Sequence, residues 1–411
     1  MPGLRRTLLV LAASVSVAGA TLVATASGAQ TAGAQSSGAW SGRVLRLGAI
    51  FSTTGAGTAY GPQQVKGARL AVDEINAAGG IRGARLQLTI EDDGSQPSRS
   101  AEEMSSLIES GRSLAVLGPT FSNSAAQADP VANQLRTTVL AVSNTGPGIV
   151  GTCSYPCGWV FRDSLGEASA LPANVGAYVD SAHPTTAVVL YPQGDAYAAS
   201  TSQIAVQSFH ADGVNQVSSV EIIEPGGEAA AVTQALAQHP DVLMITASSS
   251  TVAGTVIQAA RSQGFSGGIL GGNAFNSPAT QTVGGAASAG AQSAAGWFAG
   301  ASYRANRAFV TAYRRRYGEA PDQFSALAFT GVELLAAALR HSPLTFTSLA
   351  HDRAVLRPAL ARVQLATVSG PFRFTHTHDV YQPVWVVALN GHGGYTLVRQ
   401  LPPSASLPPT G

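Results

Sequence analysis

Charged side chains are scarce in this sequence of 411 residues, because Asp, Glu, Lys and Arg make up only 11% of it. An average soluble domain has about 25%. The formal net charge is +1. We therefore expect neither a basic surface for nucleic acid nor a polybasic strip for a membrane surface. The length leaves room for two domains of ordinary size.

Lysine is almost absent, since Lys66 is the only one. This excludes Schiff-base lysines elsewhere and the lysine that a Walker A loop needs. The GxSxG and HExxH motifs of hydrolases and zinc proteases are also missing. His376 and His378 form an HxH pair that could ligate a metal, but with no third ligand in sight a solvated strand end is the simpler interpretation. We predict no cofactor, no metal and no enzymatic activity.

Cysteine is nearly as rare, with only Cys153 and Cys157, both in the loop GTCSYPCGW. Two cysteines this close in an exported protein form a disulfide more often than a metal site, because a metal would need further Cys or His ligands. We predict a disulfide between them. It should contribute only about 2 kcal/mol because the closed loop is short.

The two ends of the chain differ in composition from the rest. Arg5-Arg6, an apolar run over residues 8–23 and a small-residue exit predict a secretory signal peptide over residues 1–29. A membrane anchor helix is the alternative, but the run is rich in Ala, Ser and Gly and its far side lacks charge. We predict a flexible lead-in over residues 30–42 and a disordered Pro-rich tail over 401–411. The last five residues, LPPTG, have the lettering of a cell-wall sorting signal.

The stretch PQQVKGARLAVDEINAAGGIRGARLQLTIEDD, residues 62–93, has the clearest secondary-structure pattern. Its apolar residues Ala68, Ala71, Val72 and Ile75 share one helical face. Gly79-Gly80 can end the helix, and residues 86–90 then alternate with the period of a strand. With an apolar strand over 44–50, the unit is strand, helix, strand.

Strands and helices alternate in this way through residues 44–142 and again from 167 to 270. This order predicts an α/β fold with two doubly wound parallel-sheet lobes. Ligands of such sheets bind beyond the carboxyl ends of the strands.

The lettering GARLAVDEINAAGGIRGARLQL, followed by Asp92-Asp93, resembles the leucine/isoleucine/valine-binding family of extracytoplasmic solute-binding proteins, and the resemblance continues through residues 43–390. It implies a periplasmic-binding-protein type I fold. Lobe 1 would comprise residues 43–164 and 300–368, and lobe 2 residues 165–299 and 369–400. A hinge of several crossings would let the lobes close on a ligand. Lipid-anchored relatives have a Cys directly after the signal peptide, and no Cys precedes Cys153 here.

The same resemblance implies a carboxylate site made of hydroxyls and backbone N–H groups at the starts of helices. Ser122, with Ser124 nearby, matches the first loop of that site. Thr145 would offer its hydroxyl and Ser143 its backbone carbonyl from the second loop. Capping a helix is the alternative role for each of these hydroxyls.

Two tyrosines and one acid complete the implied site. Tyr60 ends the first loop and Tyr197 matches a tyrosine that opens a helix of lobe 2, so either could cover the ligand or donate a hydrogen bond. Core packing is the alternative. Glu167 matches an acid that faces the cleft, with an exposed acid at a helix start as the alternative.

The resemblance also bears on the ligand's charge. In amino-acid-binding relatives an acid after the last strand of lobe 2 pairs with the ligand's ammonium group, and Asn273 takes that position here. Ser248 and two further serines replace aromatic partners. A neutral amide cannot neutralise an ammonium, and a buried unpaired charge is costly. Unless Glu167 or Asp195 compensates, we expect an amide, a urea-like compound or an organic acid rather than leucine, isoleucine or valine.

The function implied by the resemblance is that of a secreted, extracytoplasmic, monomeric protein. It would bind a small solute, such as an amino acid, an amide or a small organic acid, and deliver it to the membrane permease of an ABC transporter. An exported sensing or wall-associated protein of the same fold, uncoupled from transport, remains the alternative. Neighbouring permease and ATPase genes would favour transport.

Overall fold

The computed structural model describes residues 38–151, 153 and 157–405. The predicted signal peptide, the lead-in up to residue 37 and the LPPTG lettering lie outside the described residues.

The first lobe is built on a five-stranded sheet of order β2-β1-β3-β4-β5, in which every neighbouring pair is parallel. Helices connect the first four strands. The elements are β1 (Val44–Ile50), α1 (Gly61–Ala77), β2 (Arg85–Glu91), α2 (Pro97–Glu109), β3 (Ala115–Leu117), α3 (Ser122–Gln134), β4 (Thr138–Ala141) and β5 (Val160–Arg162).

The second lobe begins with helix α4 directly after the first crossing. Its elements up to the second crossing are α4 (Glu167–Ala182), β6 (Thr186–Pro192), α5 (Ala196–Ala211), β7 (Gln216–Ile222), α6 (Glu228–Leu236), β8 (Val242–Ile245), α7 (Ser250–Ser262), β9 (Gly268–Gly271), α8 (Pro278–Gly284) and β10 (Gln292–Ala295).

The chain then returns to the first lobe and crosses once more. The remaining elements are α9 (Arg304–Tyr317), α10 (Gln323–His341), α11 (Leu349–Ala361), β11 (Gln364–Thr367), β12 (Gly370–Phe374), β13 (Val380–Leu389) and β14 (Tyr395–Ala405). The nine-stranded second sheet has the order β11-β12-β13-β10-β9-β8-β6-β7, and β14 pairs with β13. The predicted α/β class with two parallel-rich sheets is confirmed, although β11 to β14 add antiparallel pairs.

Helix α1 packs as its sequence pattern predicts. Ala68, Ala71, Val72 and Ile75 are all buried in the core of the first lobe. At Gly67 an added Cβ would lie 1.9 Å from the carbonyl oxygen of Ser325. Only glycine therefore lets α1 approach the start of α10 this closely.

The predicted boundary at residue 368 needs a correction. Strand β11 was placed in lobe 1, but Leu365 pairs with Phe372 of β12 in the second sheet. The short hairpin between these strands keeps both in one sheet, so the third crossing precedes Gln364.

The predicted disordered tail is also wrong over residues 401–405, which continue β14. Pro402 and Pro403 lie at a register shift, between Leu401, which pairs with Val384, and Ser404, which pairs with Gln382. Within the part of the chain that the structure describes, β14 pairs only with β13. Proline lacks an N–H donor but is tolerated in an irregular edge strand. The Pro-rich composition therefore does not prevent residues 401–405 from forming part of a strand.

The end of the predicted flexible lead-in packs against the lobe. Trp40 is buried, its backbone N–H donates to the carbonyl of Arg82 at 2.8 Å, and its ring meets that of Phe346 edge-on with centroids 5.3 Å apart. Residues 38–42 therefore belong to the fold, because the indole buries a large apolar surface.

The predicted disulfide is present. Cys153 and Cys157 are bonded, with their Cα atoms 6.2 Å apart. The bridge lies in the segment between β4 and β5, just before the first crossing.

Candidate functional site

A cavity of about 370 Å³ lies between the two sheets. The loops after β1, β3 and β4 form one wall and those after β6, β8 and β9 form the other, as expected for the carboxyl ends of parallel strands. The lining residues are Tyr60, Thr120, Phe121, Ser122, Asn123, Ser143, Asn144, Thr145, Tyr197, Ala247, Ser248, Asn273, Ala274 and Phe324. Ser122, Ser143, Thr145, Tyr60, Tyr197, Ser248 and Asn273 were predicted.

Ser122 lies at the first turn of α3 and does not act as its N-cap. The N-cap is Phe121, which makes no side-chain capping bond. The hydroxyl of Ser122 instead accepts the backbone N–H of Gly146 at 3.0 Å. Ser122 thus joins the loops after β3 and β4 at the positive end of a helix, where an anion is favoured.

Ser124 does not line the cavity. It is buried, and its hydroxyl donates to Asp93 at 3.2 Å. Asp93 also accepts the hydroxyl of Ser52 at 2.6 Å. Because Ser52 lies in the loop after β1 and Ser124 in the first turn of α3, Asp93 ties these two segments together, and Ser124 supports the site without facing it.

The neighbouring Asp92 orders the first loop. It accepts the backbone N–H of Thr53 at 2.9 Å and the hydroxyl of Thr54 at 2.7 Å. Partial burial opposes ionisation, but hydrogen bonds from Thr54, Gly94 and Thr53 prevail and lower the pKa of Asp92 to about 2. The Asp92-Asp93 pair singled out in the sequence therefore has a structural role.

Ser143 holds the loop after β4 through both its polar groups. Its hydroxyl donates to the carbonyl of Thr120 and accepts the amide of Gln64, each at 2.7 Å. Its own carbonyl accepts the side-chain amide of Asn273 at 3.0 Å. The predicted carbonyl of Ser143 thus faces the second lobe and already has a donor there.

Glu167 lies behind the cavity lining and is buried rather than exposed. Its Oε1 accepts the hydroxyl of Tyr197, the N–H of Asn273 at 2.9 Å and the hydroxyl of Thr145 at 3.3 Å. Burial raises the pKa of Glu167, while the hydrogen bonds from Tyr197 and Asn273 oppose that rise. Burial and the adjacent Glu167 raise the pKa of Tyr197 well above its usual range. The acid thus connects the loop after β4 with the start of α5 and with the segment after β9 in the second lobe.

The side chain of Asn273 is held from the first lobe on both sides. Its Nδ2 donates to Ser143, and its Oδ1 accepts the amide of Gln323 at 2.7 Å. Gln323 also accepts the N–H of Gly296 at 2.8 Å, in the second crossing. Asn273 therefore bridges the two lobes through neutral hydrogen bonds.

Tyr60 closes the other end of the cavity. Its hydroxyl donates to the carbonyl of Ser248 at 2.8 Å and accepts the hydroxyl of Ser250 at 2.6 Å. Its ring packs against Phe324, with centroids 4.5 Å apart. Across the mouth, Asn123 donates to Asp195 at 3.0 Å. Since these bonds join opposite lobes, the structure is a closed form of the cleft.

Several lining residues were not predicted, above all Asn123, Asn144 and Phe324. Asn144 is buried and donates to the carbonyl of Pro119 at 2.8 Å. Asn144 lies between the predicted residues Ser143 and Thr145, and this position is the sequence feature that could have indicated that it lines the cavity. Phe324 reaches the cavity from the distant helix α10, and no sequence pattern marks it.

His378 of the HxH pair packs against strand β5. The ring of His378 stacks on Phe161 with centroids 3.9 Å apart, and its Nδ1 lies 3.0 Å from the carbonyl of Val160. Over the described ranges, no group of three or more His, Cys, Asp or Glu side chains could hold a metal ion. No helix within those ranges has the length and apolar character needed to cross a membrane.

Two curated proteins resemble segments of this chain. An amino acid binding protein of Pseudomonas aeruginosa is 30% identical over 103 residues, which are 25% of this chain and 28% of that protein. The Leu/Ile/Val-binding protein BraC3 of Rhizobium johnstonii is 31% identical over 105 residues, 26% of this chain and 28% of that protein. The matched segments therefore span little more than a quarter of each relative's length.

Solved structures share the fold over nearly the whole chain. LivJ of Streptococcus pneumoniae, a substrate binding protein of a branched-chain amino acid transporter in complex with isoleucine, has a TM-score of 0.76 and 23% identity, covering 87% of this chain and 99% of that one. A solute binding protein of an ABC transporter from R. palustris in complex with benzoate has a TM-score of 0.78 and 21% identity, covering 88% and 97%. At these identities the likeness concerns the fold.

The sequence profile described as periplasmic binding protein matches residues 44–394. That range includes both sheets, apart from β14, and every residue that lines the cleft cavity. Proteins of this family bind solutes and are not enzymes. The chain belongs to the periplasmic binding protein family.

Proposed function

We propose that this protein is the extracytoplasmic solute-binding component of an ABC transporter. It binds a small carboxylate-bearing solute between its lobes and presents the closed complex to a membrane permease. Family membership supports this role, as do relatives described as amino acid binding proteins and a similar structure that holds benzoate. The predicted signal peptide would export the chain.

The ligand's carboxylate binds at the start of α3. Ser122 and Thr145 both line the cavity. The hydroxyl of Ser122 can donate to a ligand, and that of Thr145 can do so when it exchanges its 3.3 Å bond to Glu167 for one to the ligand. The positive end of the 13-residue helix α3 adds a favourable potential for an anion. This convergence of two hydroxyls at a helix N-terminus is the observation that carries the proposal.

The ligand lacks a free α-ammonium group. An ammonium would need the carbonyl of Ser143 as acceptor and an acid at position 273. Here the Asn273 amide donates to that carbonyl at 3.0 Å, position 273 carries no acid, and Glu167 lies behind the cavity lining. A neutral organic acid group or an amide can be buried without leaving a cation unpaired. We therefore expect simple organic acids or amides to bind more tightly than leucine, isoleucine or valine.

A thermal-shift screen of amino acids, amides and organic acids tests this proposal. Binding to the native state alone raises the melting temperature, so ligands can be ranked without a transport assay. We expect one or more carboxylates without an ammonium to stabilise the protein most. Stabilisation by a branched-chain amino acid alone would contradict the proposed ligand class.

A further inference from the structure

Glu167 is a buried titratable group whose charge the proposed ligand site does not balance. Its Oε1 accepts three hydrogen bonds, including that from Thr145 at 3.3 Å. Its Oε2 is buried and has no hydrogen-bond partner among the described residues. A carboxylate in this state loses hydration at one oxygen without compensation.

The charges around Glu167 do not supply a free cation. The positive charge of Arg162, at the end of β5, opposes the rise in the pKa of Glu167. Arg162 is, however, already paired with Asp379 through Nε at 2.9 Å and Nη2 at 2.6 Å. Helix α5 contributes Tyr197 and the acid Asp195, which adds negative charge. The positive end of α4, where Glu167 lies, favours the carboxylate. The loops after β4 and β9 contact Glu167 through the uncharged Thr145 and Asn273.

A bound carboxylate would bring a second negative charge to the same group of residues. Thr145 lines the cavity and also contacts Glu167, so the two anions would lie on either side of one hydroxyl. Two carboxylates that share a site cannot both stay ionised without a large cost. The hydroxyls and the positive end of α3 hold the ligand's carboxylate most strongly while it is charged, so the buried Glu167 is the group that gains the proton.

We propose that Glu167 takes up one proton from solvent when a carboxylate binds, so that the binding of monoanionic solutes is coupled to its protonation. The inference rests on the proposed function, because it needs a ligand carboxylate at Ser122 and Thr145. Burial already raises the pKa of Glu167 before any ligand is present. The ammonium of a zwitterion beside Glu167 would instead lower that pKa, so a zwitterion would bind without proton uptake.

The sign of the pH dependence follows from this linkage. The complex holds one more proton than the free protein between the pKa of Glu167 in the free protein and its higher pKa in the complex. Affinity is therefore greatest below this window and falls about tenfold per pH unit as pH rises through it. Above the window the affinity is constant again.

The test uses benzoate, 3,4-dihydroxybenzoate, acetate and leucine as probes with the full-length protein, from about pH 6, where these carboxylates are ionised, to about pH 8. Calorimetric titration in two buffers of different ionisation enthalpy counts the protons taken up. We expect a bound aromatic acid to take up one proton and to bind more weakly as pH rises. Carboxylate binding with no proton uptake and no pH dependence would overturn the inference while leaving the proposed function intact.

The variant Glu167→Gln removes the titratable group and keeps a side chain of the same shape. Its amide imitates the protonated acid, so carboxylates should bind at all pH values with the affinity that the unaltered protein has at low pH. Glu102→Gln, which removes an exposed acid of α2, should keep the original pH profile. Leucine binding that is lost in Glu167→Gln would assign Glu167 to the ammonium and overturn the proposal. Failure of every probe to bind either protein would reject the proposed ligand class and, with it, this inference.

Discussion

The side-chain amide of Asn273 donates a hydrogen bond to the backbone carbonyl of Ser143, across the cleft, at 3.0 Å. This bond joins the second lobe to the first without any ionic group. It also occupies the carbonyl that a ligand's ammonium would need. Asn273 thus holds the lobes together and competes for the acceptor that a positively charged solute would use.

The substitution Asn273→Asp should introduce amino acid binding. An aspartate at this position cannot donate to Ser143, but it can pair with an ammonium, and a hydrogen bond to a charged group contributes about 1.5 to 3 kcal/mol. We expect leucine affinity to increase roughly tenfold or more by calorimetry. The exposed Asn215→Asp adds the same charge outside the cleft and should have no effect. Unchanged leucine affinity in Asn273→Asp would count against the role given to Asn273.

Ser122→Ala should weaken carboxylate binding. It removes one hydroxyl donor to the ligand, a charge-assisted bond typically worth about 1.5 to 3 kcal/mol, so the dissociation constant should rise about tenfold or more. Ser124→Ala is the matched control, because Ser124 contacts Asp93 and not the cavity. Titration of both variants with the best acid from the screen measures the difference, and equal losses would refute the assignment of Ser122.

Much of the fold could be predicted from the sequence because its local patterns agree with its tertiary packing. The apolar face of α1, Ala68, Ala71, Val72 and Ile75, is the face that the core buries. The antiparallel strands β11 to β14 were harder to place, since lobe membership depends on pairing between distant strands. Proline at residues 402 and 403 indicated disorder, while the register of β14 against β13 accommodates both.

The site was only partly predictable. The residues at loop ends, such as Ser122 and Thr145, have recognisable lettering and line the cavity. The partners of Asn273 could not be read from the sequence, because Ser143 is 130 positions away and Gln323 is 50. Glu167 was expected near the cleft, but its burial and its unpaired oxygen depend on how the lobes meet.

Asp163→Asn should stabilise the protein at neutral pH. Asp163 is buried, and neither carboxyl oxygen has a hydrogen-bond partner among the described residues. Burial raises the pKa of Asp163 well above its usual range, so the folded state holds a proton that the unfolded state releases. Stability is therefore full below the unfolded pKa of about 3.9 and falls as pH rises towards the folded pKa.

Urea unfolding of Asp163→Asn and the unaltered protein from acidic to neutral pH measures this effect. The two curves should converge at low pH and separate as pH rises. Asp241→Asn is an opposite control, because hydrogen bonds from Thr185, followed by weaker effects of Thr186, lower the pKa of Asp241. Its stabilising bonds are present above the unfolded pKa and are lost as pH falls. A constant difference between Asp163→Asn and the unaltered protein at every pH would refute the buried-acid account.

Tyr60→Phe should shift the lobes towards an open form and weaken ligand binding. The change removes the bonds to Ser248 at 2.8 Å and Ser250 at 2.6 Å, each worth about 0.5 to 1.5 kcal/mol, but it keeps the ring contact with Phe324. Small-angle scattering should show a larger radius of gyration without ligand and the same compact form at saturation, because the ligand binds the closed state more tightly. Tyr381→Phe, on β13 of the second lobe, should leave both radii unchanged. If saturating ligand changes the radius of neither the unaltered protein nor Tyr60→Phe, closure does not accompany binding and the proposed role of Tyr60 fails.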